Sequence, residues 1–349
     1  MTVIDLGSRR IAAAMAEAAT DGRVRLLALE NMNSNGISGG CITDIGKTVK
    51  DISSVMHRVH SRAGRKAKNV LVTTGGADTK MVISRGMVPL AGAPRQITAK
   101  DVKRCLEIAA MINLPLDRVC VEKIVRRFYI DGASAGVKDP VGLYGIKLEV
   151  ETFAATANHS KIQNITKCVD HAGFLMDGIY LSCTASAGSV LDAEEKTRGV
   201  LLIAIGSSLT EALIFKNDIL QSFKIIGKGM AAILDNDMRP DSKKSGRLLD
   251  EVSCVPGRRT DDFSSVVVTG GGALPDGVIE EAERRFNVPA RMGIVRKTGY
   301  NLNSQDAIIH TSTIGLIDRK AREYKNANAD KNTVRKALRK IIDVYESYF

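Results

Sequence analysis

Tryptophan is absent from this 349-residue sequence, and aromatic residues make up only 4% of it. Surfaces that stack sugars or nucleic-acid bases need aromatic rings, so this chain is poorly supplied for either task. No apolar run reaches the roughly 18 residues that a membrane-spanning helix requires. A strand pattern begins directly after Met1, so the sequence also predicts no signal peptide.

Cysteine is sparse and lacks any metal-binding spacing. The six cysteines are scattered without a CxxC pair, and several lie within apolar runs. This pattern predicts buried thiols in a reducing compartment, and neither a disulfide framework nor a zinc site. His57 and His60 lie three residues apart on a helical pattern. Because no cysteine or carboxylate set accompanies them, we predict no metal site there.

Basic residues outnumber acidic ones, 50 against 39, which gives a formal net charge of +11. Such a balance suits an anionic partner, namely a nucleotide, a membrane surface or nucleic acid, although dispersed surface charge is the simplest alternative. Nucleic-acid binding is supported by charge alone, and we therefore predict no nucleic-acid partner. The 44% apolar and 26% charged residues are typical of a globular protein.

Alternating helix and strand patterns indicate an α/β protein. Among them are helices over 47–62, 184–196 and about 305–324, and strands over 175–181 and 219–226. Between them, residues 84–155 have the texture of a small inserted α+β module, whose helix begins with a capping box at Thr98 and Asp101. Residues 227–265 are polar with little periodicity, which predicts a loop more than a subdomain.

Three glycine-containing turns, each after an apolar strand, carry the functional prediction. They are Asp5-Leu6-Gly7-Ser8, Gly206-Ser207-Ser208 and Gly270-Gly271-Gly272. Small residues let backbone N–H groups approach a phosphate, and a nearby aspartate can hold Mg²⁺ or its water. Each turn alone is a common strand connection. Their order, with one α/β half around the first turn and another around the other two, favours a phosphate-binding cleft.

The last residues show an amphipathic helical pattern after a polar linker at 325–332. The helix is predicted over 333–349. Its apolar face comprises Val334, Leu338, Ile341, Tyr345 and Phe349, with Ile342 beside them, and its basic flank comprises Arg335, Lys336, Arg339 and Lys340. A helix of this kind is typical of in-plane binding to an anionic membrane. The alternative is a terminal helix packed on the globular body.

Taken together, these features resemble the FtsA family of actin-like cell-division proteins. "DLGSRRIAAAMAE" resembles the family's first phosphate loop and "VVVTGGGALPDG" its adenosine loop. "SRGMVPL", "ITAKDV" and "VKDPVGLYGIKLEVETFAATA" resemble its inserted 1C subdomain. The resemblance implies an α/β, actin-like (ribonuclease H-like) two-lobed fold. Its parts would be 1A at 1–83 and 156–185, 1C at 84–155, 2A at 186–300, and a helix at 301–324 that returns to 1A.

The family also implies a function. It implies ATP with Mg²⁺ between the lobes, polymerisation into a homopolymer through 1C, divisome-type protein partners, and peripheral attachment to the cytoplasmic face of the inner membrane. The residues that would contact the cofactor are Asp5, Gly7, Ser8, Arg10 (where the family has lysine), Gly206, Ser207, Ser208, Glu211, Gly270, Gly271 and Gly272.

Two departures from the family pattern limit these expectations. The second loop of the family reads Asp-Ile-Gly-Gly-Gly-Thr, but here Ala204 and Leu209 replace its first and last residues. We therefore predict weak or degenerate nucleotide binding without efficient ATP hydrolysis. Residues 230–264 are too few for the family's 2B subdomain, which carries its FtsZ site, so FtsZ binding is not expected. A nucleotide-free scaffold, such as a pilus-assembly adaptor, and a superfamily ATPase or kinase remain alternatives.

Overall fold

The computed structural model describes residues 1–19, 23–90, 92–234, 241–254, 263–296, 300–329, 341–343 and 345. Its contacts divide the chain into two units. The first comprises Met1–Glu17, Val24–Thr79 and Ser160–Arg319. The second comprises Ala18–Arg23, Lys80–His159 and Lys320–Phe349. Residues 80–159 of the second unit are called the inserted module below; the sequence predicts this insertion over 84–155.

The secondary structure alternates as the sequence pattern predicts. The strands are β1 (Thr2–Leu6), β2 (Arg10–Ala18), β3 (Val24–Asn33), β4 (Ile37–Ser38), β5 (Cys41–Ile42), β6 (Asn69–Thr74), β7 (Lys80–Pro89), β8 (Arg95–Gln96), β9 (Arg118–Ile130), β10 (Tyr144–Gly145), β11 (Lys147–Asn158), β12 (Leu175–Leu181), β13 (Val200–Ile205), β14 (Thr210–Lys216), β15 (Ile219–Ile226), β16 (Ser265–Thr269) and β17 (Ala290–Met292). The α-helices are α1 (Ile45–Ala63), α2 (Ala99–Ala110), α3 (His159–His171), α4 (Ser182–Val190), α5 (Ala193–Arg198), α6 (Ser242–Ser253), α7 (Val278–Phe286), α8 (Asp306–Ile309) and α9 (Thr311–Ala329). The strands predicted at 175–181 and 219–226 are confirmed residue for residue as β12 and β15.

The first unit contains two five-stranded sheets built on the same plan. Their strand orders are β12-β6-β1-β2-β3 and β15-β14-β13-β16-β17. In each sheet a central strand pairs antiparallel with the next strand along the chain and parallel with a later one, β1 with β2 and β6, and β13 with β14 and β16. The first predicted turn closes the β1–β2 hairpin, and the second closes the β13–β14 hairpin.

The single helix predicted over 184–196 is instead two helices, α4 and α5. Leu191 and Asp192 between them have extended backbone conformations. The Asp192 side chain accepts from the Glu195 amide, and the Glu195 side chain accepts from the Asp192 amide, so α5 begins with its own capping box. The local hydrogen bonds of this cap favour a new helix start over a continued helix.

The polar segment at 227–265, predicted as a loop more than a subdomain, contains the helix α6. The Asp241 side chain caps it by accepting from the amides of Lys243 and Lys244. One face carries Leu248, Leu249 and Val252, which are buried in the core around the second sheet. The sparse apolar residues on this single face explain why the sequence pattern is weak. Within the described residues of this segment, a short 3-10 turn at Met230–Ala232 accompanies the helix.

The second unit is built on an antiparallel sheet in the order β7-β11-β9. Helix α2 begins at the predicted capping box of Thr98 and Asp101 and packs its apolar face on this sheet. Strand and helix approach closely at Gly86, where a Cβ would lie 2.1 Å from the carbonyl oxygen of Cys105. Glycine is therefore required there by the spacing of the backbones.

The structure describes only part of the predicted C-terminal linker and helix. Helix α9 continues to Ala329, so residues 325–329 of the predicted linker are helical. Seven of the predicted membrane-facing residues lie outside the described residues, namely Val334, Arg335, Lys336, Leu338, Arg339, Lys340 and Phe349. The other three, Ile341, Ile342 and Tyr345, pack against the core of the inserted module. Within the part of the chain that the structure describes, no helix combines the length and hydrophobicity needed to span a bilayer.

Candidate functional site

The three predicted turns meet at one cavity of about 660 Å³ within the first unit. This volume lies in the range of small-molecule sites. Of the predicted cofactor residues, those that line it are Asp5, Gly7, Ser8, Arg10, Gly206, Ser207, Ser208, Glu211, Gly270 and Gly271. The remaining one, Gly272, is buried within the third turn. Residues far apart in sequence thus surround a single space.

The first turn is held by its own backbone and by a loop beside it. The Gly7 amide donates to the Arg10 carbonyl at 3.1 Å, and a Cβ on Gly7 would lie 2.7 Å from that oxygen. The Ser8 hydroxyl accepts from the Gly40 amide at 3.0 Å. A hydroxyl has one hydrogen and two lone pairs, so Ser8 can still donate to an anion in the cavity.

Asp5 is fixed at the end of β1 by two hydroxyl donors. Thr73 donates to Oδ1 at 2.7 Å, and Ser312 donates to Oδ2 at 2.9 Å. Burial raises the pKa of Asp5, against the lowering effect of these two hydrogen bonds. The carboxyl group is therefore held in one orientation in a site where its charge is costly without a cation.

The second turn uses part of its backbone for internal contacts. The Gly206 amide donates to the Leu209 carbonyl at 2.8 Å, and the Gly206 carbonyl accepts from the Met230 amide at 2.7 Å. Ser207 and Ser208 line the cavity, with their hydroxyl oxygens 3.4 Å apart. Anion binding at this turn would depend on these two hydroxyls more than on the Gly206 amide.

Glu211 is a buried acid of the cavity with a raised pKa. The residue is 6% exposed; Ser182 donates to Oε2 at 2.9 Å, whereas Oε1 has no hydrogen-bond partner within the described part of the chain. Burial raises the pKa of Glu211 to about 7, and the nearby Asp5 adds to the rise while Ser182 opposes it. Glu211 also pairs across the β13–β14 ladder with Ala204.

The third turn packs directly on β13. Gly270 has a φ of 84°, and a Cβ there would lie 2.6 Å from the Ile205 carbonyl oxygen. At Gly272 a Cβ would lie 2.2 Å from Cγ2 of the same isoleucine. Gly271 differs, because the nearest atom to its Cβ would be the Met230 sulfur at 3.9 Å. Two glycines are thus required by packing, while Gly271 opens towards the cavity.

Several residues of the site were not predicted from the sequence. Ser182, Ser186, Thr311 and Ser312 line the cavity from α4 and α9. The sequence gives no sign of them, because the hydroxyl residues of these two helices have no distinctive spacing. Gly75 also lines it, and the glycines of "TTGGAD" after β6 could have indicated its position.

The donor set fits Mg²⁺ only together with a polyphosphate. Asp5 and Glu211 supply carboxylate oxygens, but the described residues contain no group of three or more His, Cys, Asp or Glu side chains arranged around a common metal position. Mg²⁺ prefers six oxygen ligands and commonly takes several of them from water and substrate phosphates. The cavity could therefore hold the ion as part of a Mg²⁺–nucleotide complex.

Comparisons with known proteins agree with this architecture. Residues 76–156 match the family model described as the SHS2 domain inserted in FtsA. The cell division protein FtsA of Borreliella burgdorferi is 27% identical over 348 residues, which cover 83% of this chain and 83% of the relative. FtsA of Neisseria meningitidis serogroup B is 25% identical over 372 residues, covering 91% and 89%. Among solved structures, a chain of the PilM–PilN type IV pilus biogenesis complex superposes with a TM-score of 0.61 at 14% identity, covering 92% of this chain and 98% of that one.

The paired mixed sheets and the cavity between their hairpin turns define an α/β protein of the actin-like class, as predicted. The FtsA matches extend over most of the chain, and the inserted module carries the domain that is described for FtsA itself. The chain is similar to the cell division protein FtsA over most of its length, and the resemblance predicted from its motifs is confirmed.

Proposed function

We propose that this chain is an FtsA-like cytoskeletal protein that forms filaments at the cytoplasmic face of the inner membrane and binds nucleotide weakly in its cleft. The observation that carries the proposal is the meeting of three glycine- and serine-containing turns at one cavity of about 660 Å³. Backbone and hydroxyl donors around such a cavity suit phosphate groups. The similarity to the cell division protein FtsA supports a role of this chain in cell division.

The same geometry supports weak binding. The Gly206 amide is engaged within its own turn, and Ala204 supplies no carboxylate. Asp5 and Glu211 would hold the Mg²⁺ of a bound nucleotide, and that ion would neutralise phosphate charge. Because burial favours the neutral form of Glu211, forming its charged state costs part of the binding free energy. Efficient ATP hydrolysis is not part of the proposal.

The nucleotide prediction is tested by filling the cavity. Replacing Gly271 with leucine should weaken binding of Mg²⁺–ATP about tenfold or more, because Gly271 lines the cavity and its Cβ would lie no closer than 3.9 Å to a neighbouring atom, so the new side chain can extend into the cavity. Isothermal titration calorimetry measures the change. Gly46→Leu is the matched control, since Gly46 is exposed in the first turn of α1 and its Cβ would meet nothing closer than 3.5 Å. Equal affinities of the Gly271 variant and the parent would refute the proposed cleft.

Filament formation and membrane attachment are proposed from the inserted module and the C-terminal segment. We expect electron microscopy on an anionic lipid monolayer to show filaments of the full chain. A chain truncated after Ala329 should leave the monolayer nearly bare, because it keeps α9 and loses the amphipathic segment. Absence of filaments from the full chain, or equal coverage by both chains, would contradict this part. Divisome-type proteins are the proposed partners, and FtsZ is not among them.

A nucleotide-free scaffold is the second candidate. It is favoured by the occupied amide of Gly206 and by a buried carboxyl, Glu211, whose neutral form needs no cation. The fold similarity to a chain of a pilus-biogenesis complex shows only that this architecture occurs in another assembly. The same calorimetric titration separates the two candidates, since a scaffold would bind no nucleotide at any accessible concentration.

A further inference from the structure

The C-terminal segment, which the structure describes at residues 341–343 and 345, packs on the inserted module through side chains that the sequence assigns to a membrane. Tyr345 is only 8% exposed, and Ile341 and Ile342 pack half-buried against the same core. Ile341 and Tyr345 are four residues apart, so a helix presents them on one face. An apolar face that is covered by protein is not available to lipid.

The surface beneath Tyr345 is one face of the β7-β11-β9 sheet. The Tyr345 hydroxyl donates to Thr152 Oγ1 at 3.2 Å, and Thr152 lies on the same face of β11 as Leu148 and Val150, which α2 covers. Lys123 lies on β9 directly across from Ala154, and its ammonium is 5.2 Å from the centre of the Tyr345 ring. We call the Thr152 and Lys123 side chains the docking face.

The docking face contacts both the ring and the hydroxyl group of Tyr345. A hydroxyl acceptor meets the phenol, and an ammonium group lies over the ring, where a cation–π attraction stabilises it. Lys123 is 3% exposed and Thr152 is fully buried. The hydrogen bond from the Tyr345 hydroxyl to Thr152 is therefore made in a place that water scarcely reaches.

We propose that residues 341–345 and the docking face form a reversible intramolecular latch, which must open before the same apolar side chains can enter a membrane. The proposal rests on the membrane attachment proposed above. A side chain cannot occupy both environments, so docking and lipid binding compete for the same C-terminal segment. The latch lowers the apparent membrane affinity of an isolated chain by the fraction of time it is closed.

The latch is tested by changing the docking face while leaving residues 341–345 intact. Thr152→Val removes the acceptor of the Tyr345 hydroxyl, and Lys123→Met removes the ammonium while keeping an apolar stem. Each should raise binding of the full chain to phosphatidylglycerol-containing vesicles about fivefold in co-sedimentation. Hydrogen exchange without lipid should show faster exchange of the amides at 341–345 in both variants. Ser84→Ala is the control, because Ser84 pairs with Thr152 across the ladder but its hydroxyl donates to Ala109 in α2.

The two readouts separate the latch from the membrane function. Vesicle binding by both docking-face variants equal to that of the parent and of Ser84→Ala overturns the latch. So does unchanged amide exchange at 341–345 in both variants. If exchange accelerates but no variant binds vesicles, docking is real and membrane attachment is refuted, and with it the competition that the latch requires. Increased vesicle binding with accelerated exchange in both variants supports the proposal.

Discussion

Replacing Glu211 with glutamine should stabilise the folded chain by about 3 kcal/mol at pH 8 and by less than about 1 kcal/mol at pH 5. The reason is the buried environment, which raises the pKa of Glu211 from its ordinary 4.5 to about 7. Between pH 4.5 and about 7, Glu211 keeps its proton in the folded state, whereas the same carboxyl has released it in the unfolded state. Stability of the parent therefore falls as pH rises from about 4.5 to 7, and glutamine removes this fall because it does not ionise.

Urea unfolding of both chains across this pH range measures the difference. Asp5, whose pKa is also raised, titrates in both chains, so subtracting the two curves isolates most of the Glu211 contribution. Glu280→Gln provides the control, since Glu280 is an exposed residue of α7 and its replacement should change stability little at any pH. A pH-independent difference between parent and Glu211→Gln would show that the carboxyl is not buried as described.

The positions of the turns could be predicted from the sequence, but their packing could not. Glycines after apolar strands indicate close backbone approach, and Gly270 and Gly272 indeed lie against β13. Both glycines approach Ile205, which lies more than sixty residues earlier in the chain. No local sequence pattern could have identified that contact. The chemistry of Glu211 is hidden for the same reason, because its pKa depends on Ser182 and Asp5, which only the tertiary fold brings beside it.

The C-terminal segment shows a different limit of sequence reasoning. Periodicity indicates an apolar face at Ile341 and Tyr345, and the face is present in the structure. Lipid and a protein core offer an apolar side chain nearly the same environment, so the pattern cannot choose between them. The choice depends on the docking face, whose Thr152 and Lys123 belong to strands about two hundred residues earlier in the chain. Helix α6 was missed for a related reason, since its buried face is defined by contacts and not by a long apolar run.

Restoring the missing carboxylate with Ala204→Asp should tighten Mg²⁺–ATP binding about tenfold and destabilise the nucleotide-free chain by about 1 kcal/mol or more at pH 8. Ala204 lies directly across the ladder from Glu211, and both line the cavity with Asp5. A third carboxylate there adds like charge in a poorly solvated place, which weakens the empty fold. With Mg²⁺ bound, the same oxygens would serve as ligands and the ion would offset their repulsion.

Calorimetric titration with and without Mg²⁺, together with thermal unfolding of each state, tests both halves of this prediction. Ala204→Asn is the matched control, because it has nearly the same shape and no charge. It should gain little Mg²⁺-dependent affinity and show a smaller pH dependence of stability. If Ala204→Asp binds Mg²⁺–ATP no more tightly than the parent, or if Ala204→Asn gains equally, charge at this position is not what limits the cleft. The expected result would mean that the lack of a carboxylate at position 204 is the main reason why this cleft binds nucleotide weakly.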